Sequence, residues 1–369
     1  MHSISPGRVG SHPMTSRYQR CEGIALLSTM ILLLAVSSVL ATIFYRHQLA
    51  TGMAARALHG DQATLLALSA ESWVTDLLSD RQDNRDSDHL DENWAQPLPP
   101  LPLEGGELRG CLHDLQAKIN INNFSLPAEQ RPALLVATWQ QLLEESAATR
   151  QQQTPAVAAV IDWLDADDQP HGDGGREYYP YYDGIAERLP PNRAVSDVEE
   201  LAAVEGFDIG LSQLAQRFSS ALPQPTAVNI NTAAPALLAA LARANNGNQP
   251  DQPLVDWLQA QRPFASMEAF YRALATFSNQ DQATVAARWP ASVVTVASDY
   301  FALIADIRLG TVQLEYRALL DRRDRARPVV VARQLQWVPA IAPPSSDEQR
   351  LRQQRELAPA CQVTTGQLS

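Results

Sequence analysis

Between positions 161 and 179 the chain reads Ile161-Asp162-Trp163-Leu164-Asp165-Ala166-Asp167-Asp168 and then, after Gln169 and Pro170, His171-Gly172-Asp173-Gly174-Gly175-Arg176-Glu177-Tyr178-Tyr179. Carboxylates this dense repel one another unless water solvates them or a cation neutralises them, and Ca2+ accepts six to eight oxygens from carboxylates, carbonyls and water. The spacing is not that of an EF-hand, which needs D-x-[DN]-x-[DN]-G and a glutamate at the twelfth position. Three uses stay open on spacing alone: a Ca2+ site, an acidic helix end running into a solvated glycine-rich loop, and a hydrolase in which Asp165 and Glu177 form an acid/base pair. The third lacks company, since neither G-x-S-x-G nor H-E-x-x-H occurs.

Two further motifs position helices rather than carry chemistry. In Leu189-Pro190-Pro191-Asn192-Arg193-Ala194-Val195-Ser196-Asp197-Val198-Glu199-Glu200-Leu201, an extended approach leads to Ser196 with Glu199 three residues on, the pattern of a capping box. In Val228-Asn229-Ile230-Asn231-Thr232-Ala233-Ala234-Pro235, short polar side chains stand where they can hold backbone groups as a helix begins. Such units are similar to helix-hairpin-helix pairs that grip phosphate backbones, but no basic cluster accompanies them. With 41 acidic against 29 basic side chains and a net charge of -12, the chain has the sign that nucleic acid repels.

These motifs need elements to hold them. From about Ser125 to Pro290 the apolar spacing predicts helices over Pro132 to Ser146, Thr154 to Leu164, Ser196 to Ala203, Leu211 to Leu222, Ala234 to Arg243, Gln252 to Gln261, Ser266 to Phe277 and Asp281 to Arg288. Alternating stretches flank this block. Glu107 to Leu112 and Ala117 to Ile121 are compatible with a hairpin, and Ser292 to Leu309, Thr311 to Leu320 and Pro328 to Trp337 follow, with Gly310 marking a turn. Strands on both sides of a long helical block point to an α+β chain in which a helical domain is inserted into one small antiparallel sheet.

At the amino end, Ile24 to Tyr45 is a run of 22 residues without a charge. As a helix it measures roughly 33 Å, enough to cross a bilayer. Arg8, Arg17 and Arg20 precede it, which favours a cytoplasmic amino terminus with the bulk of the chain across the membrane. Leu58, Leu65, Leu68, Ala70, Trp73 and Leu77 carry the helical pattern on from Arg46 to Leu78, with Gly60-Asp61 as a possible break. The acid-rich stretch Asp80 to Glu92 and the prolines at 97, 99, 100 and 102 then read as a solvated connection.

Gly23 stands directly before the apolar run, after Arg20-Cys21-Glu22. This arrangement resembles the type IV prepilin signal, in which a membrane peptidase cuts after the glycine and methylates the new amino terminus. The resemblance makes Gly23 the residue before the cut and Ile24 the first mature residue. The fifth mature position is Ser28, where most pilins carry a glutamate that pairs with a neighbour's amino terminus. Together with Asp162 to Asp167, Gly175 to Tyr179, Pro191 to Leu201, Gly206-Phe207 and Asn229 to Ala233, the signal looks like that of the K-type minor pseudopilins of type II secretion, the general secretion pathway protein K family. That family shares the absent glutamate; Arg176 departs from its pattern, which has a small residue there.

The resemblance implies a non-enzymatic role and a pilin-like α+β core. Its parts are a leader at 1–23, a membrane-spanning helix at 24–45, helix continuation and first strands at 46–124, an inserted helical domain at 125–290, closing strands at 291–340 and a polar tail at 341–369. It implies a complex with I-type and J-type minor pseudopilins at the pseudopilus tip, processing by prepilin peptidase, and contact with the inner-membrane assembly platform and with exported proteins. It also implies Ca2+ in the helical domain, with Asp165, Asp167, Asp168, Asp173 and Glu177 as candidate donors. Cys21 would leave with the leader, while Cys111 and Cys361 would form a disulfide with each other, remain thiols or pair with another chain. The competing readings are a membrane-anchored periplasmic binding module and the carboxylate-based envelope hydrolase.

Overall fold

The computed structural model describes residues 22–79, 86–96, 100–150, 157–172, 175, 177, 190–204 and 206–339. Helix α1, Glu22–Ser79, runs 58 residues and passes through Gly60 unbroken. It is exposed all round from Ile24 to Leu58, and a second compact unit begins at His59. In chain order there follow β1 Leu101–Leu103, β2 Gly106–Asp114, β3 Ile119–Asn120, α2 Ala133–Arg150, α3 Val157–Leu164, α4 Ile209–Phe218, β4 Ser219–Ser220 and β5 Val228–Asn229. The remainder comprises α5 Pro235–Asn245, α6 Gln252–Gln261, α7 Met267–Ser278, α8 Gln282–Arg288, β6 Val294–Thr295, β7 Tyr300–Leu309, β8 Val312–Asp321 and β9 Val329–Pro339.

Five strands form one antiparallel sheet in the order β1-β2-β7-β8-β9, so everything between β2 and β7 is an insertion at neighbouring strand ends. Period-two alternation places Phe301, Leu303, Ala305 and Ile307 of β7 and Leu314, Tyr316, Ala318 and Leu320 of β8 on one face. There they cover Ala63, Ala67, Val74 and Leu78, one stripe of α1. The β7–β8 hairpin closes with Leu309 opposite Val312, and Gly310 takes φ +56 at the turn, where a Cβ would also meet the His59 ring at 2.6 Å.

The inserted helices enclose their own core around Phe124, Trp139, Ile161, Leu241 and Phe270. One device closes it twice. Asn120 accepts from the Asn122 amide, and Asn122 then binds the backbone of Val195 through both its side-chain atoms and also donates to Leu222 O. Asn229 accepts from the Asn231 amide, and Asn231 binds Phe264 in the same two-way manner and also donates to Val296 O. A side-chain amide that mimics a backbone pair satisfies groups that two-residue strands leave open.

Several local expectations shift. Ile119-Asn120 is no hairpin partner of β2: it pairs in parallel with Ser219-Ser220 inside the helical domain, while β2 pairs with β1 and β7. The reason is local, because Asp114 and Asn120 each accept from the backbone two residues on and turn the chain away. The helix expected over Leu211 to Leu222 therefore ends at Phe218. The capping box is one residue later, with Asp197 as N-cap and Glu200 as its partner, and it starts a 3-10 helix at Val198–Ala203; Ser196 instead donates to Glu200. Ser87, Asp88 and Glu92, read as part of a solvated connection, are buried. Asp88 meets Arg322 and Glu92 meets the Trp94 indole, partners that make burial of an acid tolerable. Cys111 is disulfide-bonded, with its partner outside the described residues.

Candidate metal centre

Helix α3 is apolar on nearly every side and almost wholly buried, yet it carries Asp162 in its last turn with no measurable exposure. Asp165 follows directly, its amide bonded to Ile161 O at 2.8 Å, so it prolongs the helix end and is itself only 6% exposed. The chain then loops back. His171 donates its amide to Asp162 Oδ1 at 2.8 Å, and Gly175 presses so close that a Cβ there would lie 2.5 Å from Asp162 Oδ2 and from His171 N. Only glycine fits that approach. Two residues on, Glu177 reaches the same point, and one ligand atom each from Asp162, Asp165 and Glu177 lie within 4.8 Å of one another.

Arg131, just before α2, meets this cluster from the other side. Its Nη2 donates to Asp165 Oδ2 at 3.1 Å and its Nε to Leu126 O at 3.1 Å, while Nη1 lies 3.3 Å from His171 Nδ1. One guanidinium does not neutralise three facing carboxylates. Burial, with Asp162 and Asp165 next in effect, pushes the Glu177 carboxyl up to about 7. Asp165 is also raised, by burial first and then by Asp167, against the opposing pull of Arg131. Among the described residues no donor reaches Asp165 Oδ1 or either Glu177 oxygen. Convergent, buried, all-oxygen acceptors that lack donors are what a hard cation requires, and the residues fit one.

Of the residues singled out in the sequence, Asp165 and Glu177 come together, joined by Asp162, which the candidate set omits. Asp167 and Asp168 are exposed and serve the loop instead: Asp167 Oδ1 accepts from the Gln169 amide, and Asp168 Oδ1 from the Asn192 side chain. Asp173 and Arg176 lie outside the described residues. A lone aspartate inside the otherwise apolar run of Val157–Leu164 was the available signal for Asp162. Nothing local pointed to Arg131, 34 positions from its partner.

Residues 117–224 match the family profile described as type II secretion system protein K. The type II secretion system protein K of Klebsiella pneumoniae is 30% identical over 331 residues, covering 86% of this chain and 98% of that protein. The Pseudomonas aeruginosa protein of the same name is 28% identical over 321 residues, covering 85% and 92% respectively. Among solved structures, a chain of the GspK–GspI–GspJ complex from enterotoxigenic Escherichia coli superposes with a TM-score of 0.62 at 25% identity, covering 75% of this chain and 96% of that one.

Proposed function

The chain belongs to the type II secretion system protein K family, and from that premise we propose that it is the minor pseudopilin at the tip of the pseudopilus. There it starts or caps assembly with I-type and J-type minor pseudopilins, so that folded proteins are exported across the outer membrane. It is a part of a machine rather than an enzyme. The observation that carries this is the shared architecture, a pilin-like sheet interrupted by a helical domain, common to this chain and a chain of a GspK–GspI–GspJ complex.

Mechanically, α1 holds the protein in the inner membrane through the uncharged run from Ile24 to Tyr45, with the sheet and helical domain in the periplasm. Exchanging lipid for neighbouring helices is close to neutral, so extraction draws on the assembly platform and on the tip complex. The Ser28 hydroxyl donates within its own helix, to Ala25 O at 2.9 Å. Position 28 thus offers no carboxylate to the amino terminus of a subunit above, as suits the topmost member of a filament. Tagged full-length chain extracted in detergent is expected to co-purify with its cognate I-type and J-type minor pseudopilins; recovery of neither would overturn the tip assignment.

The cation of the Asp162, Asp165 and Glu177 cluster is Ca2+ in this reading, because the set offers oxygen alone and no imidazole or thiolate. When bound, the ion supplies charge compensation that ties the end of α3 to the following loop. The sign of its pH dependence follows from Glu177. With a folded value of about 7 against 4.5 ordinarily, the folded chain keeps a proton that the unfolded chain has lost between those values. Chelated protein therefore loses stability as pH rises through that window, and the ion must displace the proton to bind. Calorimetry of the detergent-solubilised chain is expected to show stoichiometric Ca2+ binding at about pH 7.5, weakening by up to about tenfold per pH unit below 7, and abolished in Glu177→Ala. Absence of binding at millimolar Ca2+ would reject the site.

A further inference from the structure

We propose that Arg131 is the positioning residue of the cation site: it turns Asp165 so that one oxygen is left for the ion, and its removal weakens binding although it removes a positive charge. This rests on the cation reading above.

The geometry separates two roles within one carboxylate. Asp165 Oδ2 is taken by the Arg131 guanidinium, whereas Oδ1, on the same buried side chain, has no donor among the described residues. A buried carboxylate bonded at one oxygen to an anchored guanidinium is restrained in rotation, which turns the other oxygen toward the site before any ion arrives. The guanidinium is itself pinned at two further points, Leu126 O and His171 Nδ1. His171 is also the residue whose amide holds Asp162 Oδ1. Through one planar group, the loop before α2, the end of α3 and the acidic loop are therefore set relative to one another. Arg131 and Asp165 side chains are each only 8% exposed, so the bond between them is sheltered from exchange with water.

The opposing effect is electrostatic, since a nearby guanidinium repels an arriving cation. It is outweighed because the acids around the site, Asp162, Asp165, Asp167, Asp168 and Glu177, exceed the single arginine several-fold in charge. Attraction is in surplus and orientation is what the site lacks without Arg131. Outer-shell partners of metal ligands typically govern affinity by about 10–100-fold. Lysine does not fully replace the arrangement, for its ammonium keeps the charge but not the planar group that reaches Asp165, Leu126 and His171 at once.

The test is calorimetric titration of CaCl2 into EDTA-stripped, detergent-solubilised full-length chain, with Arg131→Gln, Arg131→Lys, Asp165→Asn and the double variant Arg131→Gln/Asp165→Asn. The expected result is binding weakened by about 10–100-fold in Arg131→Gln and by a smaller factor in Arg131→Lys, with the double variant no weaker than Asp165→Asn alone, because Arg131 acts through Asp165. Affinity in Arg131→Gln that is equal to or tighter than wild type, or losses that simply add in the double variant, would overturn the positioning role while leaving the cation site standing. A wild-type chain that binds no Ca2+ would instead bring down the cation reading itself. Should Arg131→Gln not fold, Arg131→Lys decides, and wild-type affinity there overturns the proposal.

Discussion

Arg322→Ala is expected to cost about 3–5 kcal/mol of folding stability. Arg322 directly follows β8 and its guanidinium is bonded to the Asp88 carboxylate, with Nη2 also donating to Ser298 O at 2.9 Å. Both side chains are nearly inaccessible, at 8% and 3% exposure. The guanidinium also lies 4.7 Å from the centre of the Phe301 ring, a contact that contributes about 1 kcal/mol. The main loss arises on the partner. Asp88 would remain buried beside a second acid, Asp114, whose carboxyl is already pushed up to about 6 by burial, with Asp88 adding to the rise. Asp88 cannot withdraw to water, because its amide is bonded to Val296 O and its carbonyl accepts from Asn229. Replacing both charges, in Asp88→Asn/Arg322→Met, should recover much of the loss, since no charge is then stranded. Denaturant titration followed by tryptophan fluorescence would measure both; a loss under about 1 kcal/mol in Arg322→Ala would show the pair to be dispensable.

What could be read from the sequence was local, and what could not was bridged over distance. The uncharged run of α1, the alternation in β7, β8 and β9, and α6 at Gln252–Gln261 depend on spacing within one element, and each was visible. Asp88 looked solvated because its neutraliser is Arg322, 234 positions on. Ile119 and Asn120 looked like a hairpin strand because alternation is blind to partner choice; the partner, Ser219-Ser220, lies 100 residues away. At the site, the carboxylate density advertised Asp165 and Glu177, but density cannot say which acids turn inward. Asp167 and Asp168 are drawn off by Gln169 and Asn192, and Asp162 enters through the helix that buries it. The fold was thus more legible than the site, because a strand is recognised by its own residues and a ligand set only by its convergence.

Gly23→Val is expected to leave the leader on the protein and to abolish export. Glu22 is the first residue of α1 that the structure describes, and Gly23 and Ile24 follow it within the described helix. In the proposed processing, a residue without Cβ would allow a peptidase close approach at the bond after Gly23, and a β-branched one would obstruct it. The consequence for assembly is energetic. Arg8, Arg17 and Arg20 precede the span, and drawing three arginines into the bilayer with the helix would cost on the order of 10 kcal/mol. The exchange of lipid for helix contacts that assembly offers in return is close to neutral. A cut after Gly23, as the proposed processing has it, would remove all three of these charges at once and would have to precede extraction. Mass spectrometry of the membrane fraction should find wild-type chain beginning at Ile24 with a methylated amino terminus, and Gly23→Val chain beginning upstream and confined to the inner membrane. Wild-type protein that keeps Met1 in cells with a working prepilin peptidase, or normal export by an uncleaved variant, would remove the basis for a filament role.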